Sequence, residues 1–245
     1  MKNLVVDIGN SRTKAAVLDE GKIVEKWSFP EPDREYISPI LRKYPSVTRC
    51  IISSTRTGIA PVEKIIEESV PFVMRMENST PVPIKNLYRT PATLGPDRLA
   101  AAVGAGIIFP GENVMVADLG TAITIDFVTA EGEFLGGSIS PGIRLRFRAL
   151  HEYTGKLPLG SPGDSVEGIA STTGEAVANG VMNGIAYELE GYRNEFARKM
   201  KSLKVILTGG DADFFVKRFK NTIFANYDLV IQGLNRILDY NAPKQ

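Results

Sequence analysis

Lys2-Asn3-Leu4-Val5-Val6-Asp7-Ile8-Gly9-Asn10-Ser11-Arg12-Thr13-Lys14 lies at the head of the sequence and frames the rest. Leu4, Val5 and Val6 make a short apolar run that Gly9 interrupts, which predicts a buried strand rather than a helix. The strand ends on a carboxylate, followed by a glycine, small amide and hydroxyl side chains, and a second apolar strand from Ala15 to Leu18. Such a turn can hold a Mg²⁺-bound phosphate. Its amides and hydroxyls face the phosphate oxygens, and the aspartate addresses the metal directly or through water. An ordinary β-hairpin whose Asn10 and Ser11 satisfy the turn accounts for these residues equally well.

A second copy changes the balance. Displaced by 111 positions, Met115-Val116-Ala117-Asp118-Leu119-Gly120-Thr121 falls on Leu4-Val5-Val6-Asp7-Ile8-Gly9-Asn10, and without a gap Glu131-Gly132 falls on Glu20-Gly21. The same hairpin pair, with the same turn at its far end, is written twice. Repetition at this distance predicts two similar domains, residues 1–110 and 111–245, each presenting an aspartate turn to a shared cleft.

The length, 245 residues, allows one large core or two small ones, and the repeat favours two. A net charge of +1 gives no electrostatic footprint for nucleic acid or a membrane surface. With one cysteine and one histidine, disulfide scaffolds and Cys/His zinc sites are excluded. Cys50, beside Ile51-Ile52, reads as a core thiol. Met1 leads directly into a strand, no signal peptide is visible and no apolar run is long enough to span a bilayer, so a cytoplasmic enzyme is expected.

Along the chain the pattern predicts a β-β-β-α-β-α-β order for the first domain, with Pro39 shortening or bending the helix from Arg34 to Lys43. Asn78 to Thr93, rich in Pro, Asn and Thr, reads as a loop lining a cleft. Gly95-Pro96-Asp97-Arg98 opens a helix that runs to Ile108. The second hairpin leads through Ser140-Pro141-Gly142 into a helix whose Arg144, Arg146 and Arg148 read as a solvated face. A long helix from Glu175 to Lys199, a strand from Val205 to Leu207 and a last helix from Leu229 to Leu238 complete the chain.

No Walker A or Gly-x-Gly-x-x-Gly pattern is present, so a bound nucleotide is not held in a P-loop or Rossmann manner. The groups available are Asp7, Lys14, Asp118, Thr121 and Gly209-Gly210, two glycines after a strand that let backbone approach a flat ligand. Asp97 falls in the first turn of its helix, where the dipole favours a carboxylate and keeps it ionised. In phosphoryl transfer such a group orients an attacking hydroxyl. Arg98 can bind a substrate carboxylate by its fork of donors, or pair with a neighbour.

Together these motifs resemble the acetate kinase, sugar kinase, heat-shock protein 70 and actin superfamily. The resemblance implies an α/β fold of two ribonuclease-H-like domains, with mixed five-stranded sheets flanked by helices and the active site in the cleft between them. Within that superfamily the chain is similar to type III pantothenate kinases. Asp7, Ile8, Gly9, Asn10, Ser11, Arg12, Thr13 and Lys14 match the ATP-phosphate motif, with Ser11 where Thr is usual. Gly95, Pro96, Asp97 and Arg98 match the substrate motif, with Pro96 where Ala is frequent. Asp118 to Ala122 matches the second phosphate motif. The likeness runs on through Gly136 to Gly142, Thr154 to Pro158, Thr173 with Asn179-Gly180, and Thr208 to Asp211.

The resemblance implies an ATP-dependent kinase that phosphorylates pantothenate at the start of coenzyme A synthesis. By it, Asp97 is the catalytic base, Tyr88, Arg98 and Thr173 hold the substrate, and Asp7 positions Mg²⁺–ATP. Lys14 and Thr121 hold phosphate oxygens, and Asp118 ligates a monovalent cation, K⁺ or NH₄⁺. A homodimer is implied as well. Two rival classes are another small-molecule kinase of the superfamily and a non-enzymatic nucleotide-dependent module, regulatory or actin-like.

Overall fold

A computed structural model describes residues 2–219 and 223–243. Met1, expected to lead into the first strand, lies outside the described residues. Strand β1 (Lys2–Ile8) pairs antiparallel with β2 (Thr13–Asp19), which pairs antiparallel with β3 (Lys22–Phe29). Helix α1 (Arg34–Lys43) leads to β4 (Val47–Ser54), parallel to β1, and α2 (Ala60–Ser69) leads to β5 (Phe72–Arg75), parallel to β4. This is the β-β-β-α-β-α-β order expected. α1 is capped by Asp33, whose carboxylate accepts from the Glu35 N–H at 3.0 Å, and the helix continues past Pro39 for its full ten residues.

The two-residue strand β6 (Lys85–Asn86) precedes α3 (Pro96–Ile108), which begins with Pro at its first position, where the missing N–H costs no hydrogen bond. The second hairpin is β7 (Asn113–Leu119), β8 (Ala122–Val128) and β9 (Glu133–Pro141). Helices α4 (Ile143–Glu152) and α5 (Thr173–Lys199) follow, then β10 (Leu203–Thr208), α6 (Asp213–Val216), β11 (Ile223–Ala225) and α7 (Leu229–Asn241).

The first sheet is ordered β3-β2-β1-β4-β5 and the second β11-β10-β7-β8-β9-β6. Read in reverse, the second is the first again with β6 added beside Glu133 and Phe134, so it has six strands where five were expected. The repeat reaches individual hydrogen bonds. Met76 N–H donates to Ile52 O at 2.8 Å in one copy, and Asn226 N–H to Leu207 O at 2.9 Å in the other. Gly21 and Gly132 occupy the left-handed region at the same hairpin turn, φ 78° and 75°.

The chain divides into two compact units: Met1–Gly111 with Val128–Leu135 and Asp228–Gln245, and Glu112–Phe127 with Gly136–Tyr227. α7 therefore belongs with the first unit, whereas the sequence reading put residues 228–245 in the second. The reason is contact: α7 packs on α3, β1 and β4. In the first unit, Leu4, Val6 and Ile8 face Ile37, Ile40, Val62 and Ile66 of α1 and α2. Strand alternation sends Asn3, Val5 and Asp7 to the opposite face, where Asn3 donates to Asn235 and Asp239 of α7, both at 2.9 Å. In the second unit, Met115, Ala117 and Leu119 share a core with Ile125, Phe127, Ile143, Val181 and Ile185.

Candidate active site

Asp7 is the penultimate residue of β1, half-buried, with Lys14 opposite it on β2 and Ser53 beside it on β4. Four residues, Gly9–Arg12, join β1 to β2, and the turn closes with Gly9 N–H donating to Arg12 O at 3.0 Å. It is braced from outside. Thr55 N–H donates to Ile8 O at 3.0 Å, Arg56 donates to Asn10 O and to Glu31 at 2.8 Å, and Arg12 Nε donates to Ser28 Oγ at 2.8 Å. Asn10, Ser11 and Arg12 are exposed, so the turn offers amide, hydroxyl and guanidinium groups to solvent. Ile8 and Thr13 are 0% exposed and face the α1/α2 core, opposite Asp7. Their side chains have no surface to give a phosphate.

The second aspartate turn is shorter. Gly120 and Thr121 alone join β7 to β8, with Gly120 N–H donating to Ala122 O at 3.1 Å. Thr121 is exposed and Asp118 half-buried, with Thr208 of β10 in register beside it. Two glycines press on this turn. Gly142 N–H donates to Thr121 O at 3.0 Å, and a methyl group on Gly142 would collide with the Gly120 and Thr121 carbonyls. Gly209, at φ 92°, leaves no room for a methyl against Leu119 O, and that methyl would lie 2.5 Å from Asp118 Oδ1. Gly209 is thus required by the approach of Asp118. Asp211, just beyond, has its pKa raised by burial, with the Arg144 charge opposing the rise.

The third cluster lies in the first unit. Asp97, half-buried in the first turn of α3, accepts from the Arg98 N–H at 2.9 Å. Arg98 is buried, 5% exposed, and its guanidinium stacks over the Tyr88 ring at 5.4 Å. Tyr88 is held by its N–H donating to Asn86 Oδ1 at 2.9 Å and by the Phe134 ring at 6.2 Å. The Arg98 guanidinium is thus brought onto a ring ten positions earlier in the chain, with Asp97 next to it in sequence. α3 crosses α7 closely, since a methyl on Gly233 would strike Ala100 O. α7 in turn covers the sheet face that carries Asp7.

Thr173 is exposed at the start of α5, after a capping box in which Thr172 Oγ1 accepts from Glu175 N–H at 3.3 Å and Glu175 accepts from Thr172 N–H at 3.1 Å. Buried Asn179 pins the preceding loop, accepting from Ser165 Oγ and Val166 N–H, each at 2.9 Å. The solvated face expected for α4 is only partly so. Arg146 is 21% exposed and ties Pro141 O, Ser140 Oγ and Glu188 together. A groove of about 740 Å³ runs between α4 and α5, lined by Leu145, Arg146, Ala149, Tyr153 and Val181, and none of the expected ATP or substrate residues lines it. Among the described residues no group of three or more His, Cys, Asp or Glu is arranged to hold a metal ion. Asp7 and Asp118 each offer one carboxylate, a number suited to an ion whose shell is completed by phosphate and water. No helix among the described residues is long and apolar enough to cross a membrane.

Two ribonuclease-H-like sheets with paired aspartate turns define the actin-like ATPase and sugar kinase fold, and comparison with solved structures agrees. A Baf family protein from Campylobacter jejuni is similar at 24% identity and a TM-score of 0.63, covering 97% of this chain and 98% of that one. The activator of 2-hydroxyisocaproyl-CoA dehydratase from Clostridium difficile, with bound ADPNP, matches at 13% identity and a TM-score of 0.58, covering 98% and 94%. The sequence profile of type III pantothenate kinases matches residues 3–195. A type III pantothenate kinase from Phocaeicola vulgatus is 42% identical over 240 residues, 98% of each chain. The chain belongs to the type III pantothenate kinase family.

Proposed function

We propose that this chain transfers the γ-phosphoryl group of ATP to the primary hydroxyl of pantothenate, giving 4'-phosphopantothenate and ADP. The observation that carries the reading is the Asp97–Arg98–Tyr88 cluster. Pantothenate bears a carboxylate at one end and a primary hydroxyl at the other, and the cluster supplies a partner for each. Arg98 offers a planar fork of donors, held by its stack on Tyr88. Asp97, in the first turn of α3, accepts the hydroxyl proton as oxygen attacks the γ-phosphorus and ADP leaves.

In this reading Asp7 addresses Mg²⁺ on the ATP phosphates, directly or through water. Lys14, the Gly9–Arg12 turn and Thr121 hold phosphate oxygens, and Asp118 binds a monovalent cation, K⁺ or NH₄⁺. Thr173, presented at the capped start of α5, contributes to substrate binding. The working form is a homodimer, for which the exposed Leu145 and Tyr153 beside the α4/α5 groove offer an apolar face, and sedimentation velocity tests it. The place of action is the cytoplasm.

The deciding assay is ADP release from ATP with and without pantothenate, in K⁺ and in Na⁺. Release that depends on pantothenate and is faster in K⁺ is expected, and Asp97→Asn lowers turnover by roughly 10²–10⁴-fold with the fold intact. Pantothenate-independent hydrolysis would instead mark a nucleotide-dependent module. Turnover with a sugar or another carboxylic acid in place of pantothenate would mark a different kinase.

A further inference from the structure

The two sheets set a buried hydroxyl beside each aspartate. β4 runs parallel to β1 with Ser53 in register with Asp7, and β10 runs parallel to β7 with Thr208 in register with Asp118. Register partners in neighbouring strands project from the same face, with strands roughly 4.8 Å apart. Ser53 is 0% exposed and Thr208 1% exposed. The repeat thus preserves the chemistry of the position while changing the residue, although Ser53 belongs to none of the motifs.

Ser53 is the more telling of the two. Its neighbours on that face, Val5, Ala16 and Ile51, are apolar and fully buried, a setting in which alanine would pack without a polar atom. Yet the Ser53 Oγ is enclosed and has no hydrogen-bond partner. Leaving a buried hydroxyl unsatisfied is unfavourable, and such groups in native proteins are associated with function. Solvent does not reach the atom, so only groups already packed around it can take its proton. The register neighbour with acceptor capacity is the Asp7 carboxylate.

We infer that Ser53 is a positioning residue for Asp7, its hydroxyl donating to the carboxylate as that group turns to Mg²⁺–ATP. The bond fixes which carboxylate oxygen faces the ion, and Thr208 stands in the same relation to Asp118. This rests on the nucleotide half of the proposed function, the role of Asp7 toward Mg²⁺–ATP, and is independent of pantothenate.

The test is titration calorimetry of MgATP binding, without pantothenate, on the full chain and its Ser53→Ala and Ser53→Thr variants, alongside thermal melting. Ser53→Ala removes an unsatisfied hydroxyl, so its Tm stays level or rises. Its MgATP affinity falls roughly tenfold or more, the size of one hydrogen bond to a charged group. Ser53→Thr, the residue type found at position 208, restores affinity. Unchanged MgATP affinity in Ser53→Ala overturns the inference. So does an affinity loss that accompanies a lowered Tm, because Ser53 would then serve packing alone. Failure of the substrate reading is seen separately, as wild-type protein that binds MgATP but shows no pantothenate-dependent ADP release.

Discussion

The two aspartate turns begin from the same backbone and end in different surroundings. β1 and β7 share one burial pattern residue for residue, and each has a parallel neighbour with a hydroxyl beside the aspartate. The first turn then spends four residues, three of them exposed, and is braced by side chains from outside. The second spends two, with backbone of Gly142 and Gly209 pressed on its carbonyls and carboxylate. An open loop of polar side chains suits a phosphate tail that enters and leaves. A turn fixed on both sides by glycine backbone suits a small ion held at one distance. The duplicated hairpin supplied the frame, and the neighbours of each copy set its geometry.

The sharpest way to break this contrast is to neutralise each aspartate in turn. Asp7→Asn and Asp118→Asn should each lower kcat/KM by roughly 10²–10³-fold, as removal of one charge-stabilising group does. They should differ in ion dependence. The first variant needs more Mg²⁺ and keeps its K⁺ stimulation, while the second loses K⁺ stimulation at unchanged Mg²⁺ demand. If both variants lose the same ion dependence, the two turns have one role and the contrast collapses.

Stability separates the turns next. Gly209→Ala puts a Cβ at positive φ against the Leu119 carbonyl and should cost about 3 kcal/mol or more. Gly9→Ala meets only Arg12 O at 3.3 Å and should cost about 1 kcal/mol or less in urea unfolding. Equal costs would mean that the second turn yields as easily as the first.

Much of this was legible in the sequence. The apolar run of β1, the glycine after Asp7 and the recurrence at Asp118 carry the fold because burial and strand period leave a direct mark on residue type. β6 and β11 escaped notice, being two and three residues long, too short for a period to register. The pattern of α7 shows that it is amphipathic but not which sheet it covers, so its grouping with the first unit is visible only in its contacts. That choice is made by Asn235 and Asp239 meeting Asn3. At the site, Asp97, Arg98 and Tyr88 were named from motif likeness, yet the stack of Arg98 on Tyr88 depends on how the chain between them folds back. Ser53 and Arg146 carried no local signal, since a serine ending a strand and an arginine in a basic helix are ordinary until their neighbours are known.

Arg146 offers a smaller test confined to the second turn. It holds Pro141 O, one residue before Gly142, and pairs with Glu188. Arg146→Ala should cost about 1–3 kcal/mol by leaving these groups unpaired. It should weaken K⁺ stimulation without moving Mg²⁺ dependence, and a shift in Mg²⁺ dependence would show that it acts on the first turn as well. The smallest effect concerns Cys50 of β4, whose pKa burial pushes up. The folded thiol stays protonated, so the native protein should resist alkylation at pH 8. Above about pH 8.5 the unfolded thiol ionises and the folded one does not, so stability declines slightly with rising pH. As the sole thiol, Cys50 makes alkylation a reporter of opening in the first unit alone.

The tie between Asn3 and Asn235 has a consequence for how the molecule is made. The partners are 232 residues apart, so at a synthesis rate of about 5–20 residues per second the first strand emerges roughly 10–50 s before the helix that covers it. Until then the face carrying Asn3, Val5 and Asp7 lacks its cover and is open to wrong pairing. The second unit has its whole set of strands before α7 arrives. Vectorial synthesis therefore completes the second unit first, and β1, made before it, is finished after it.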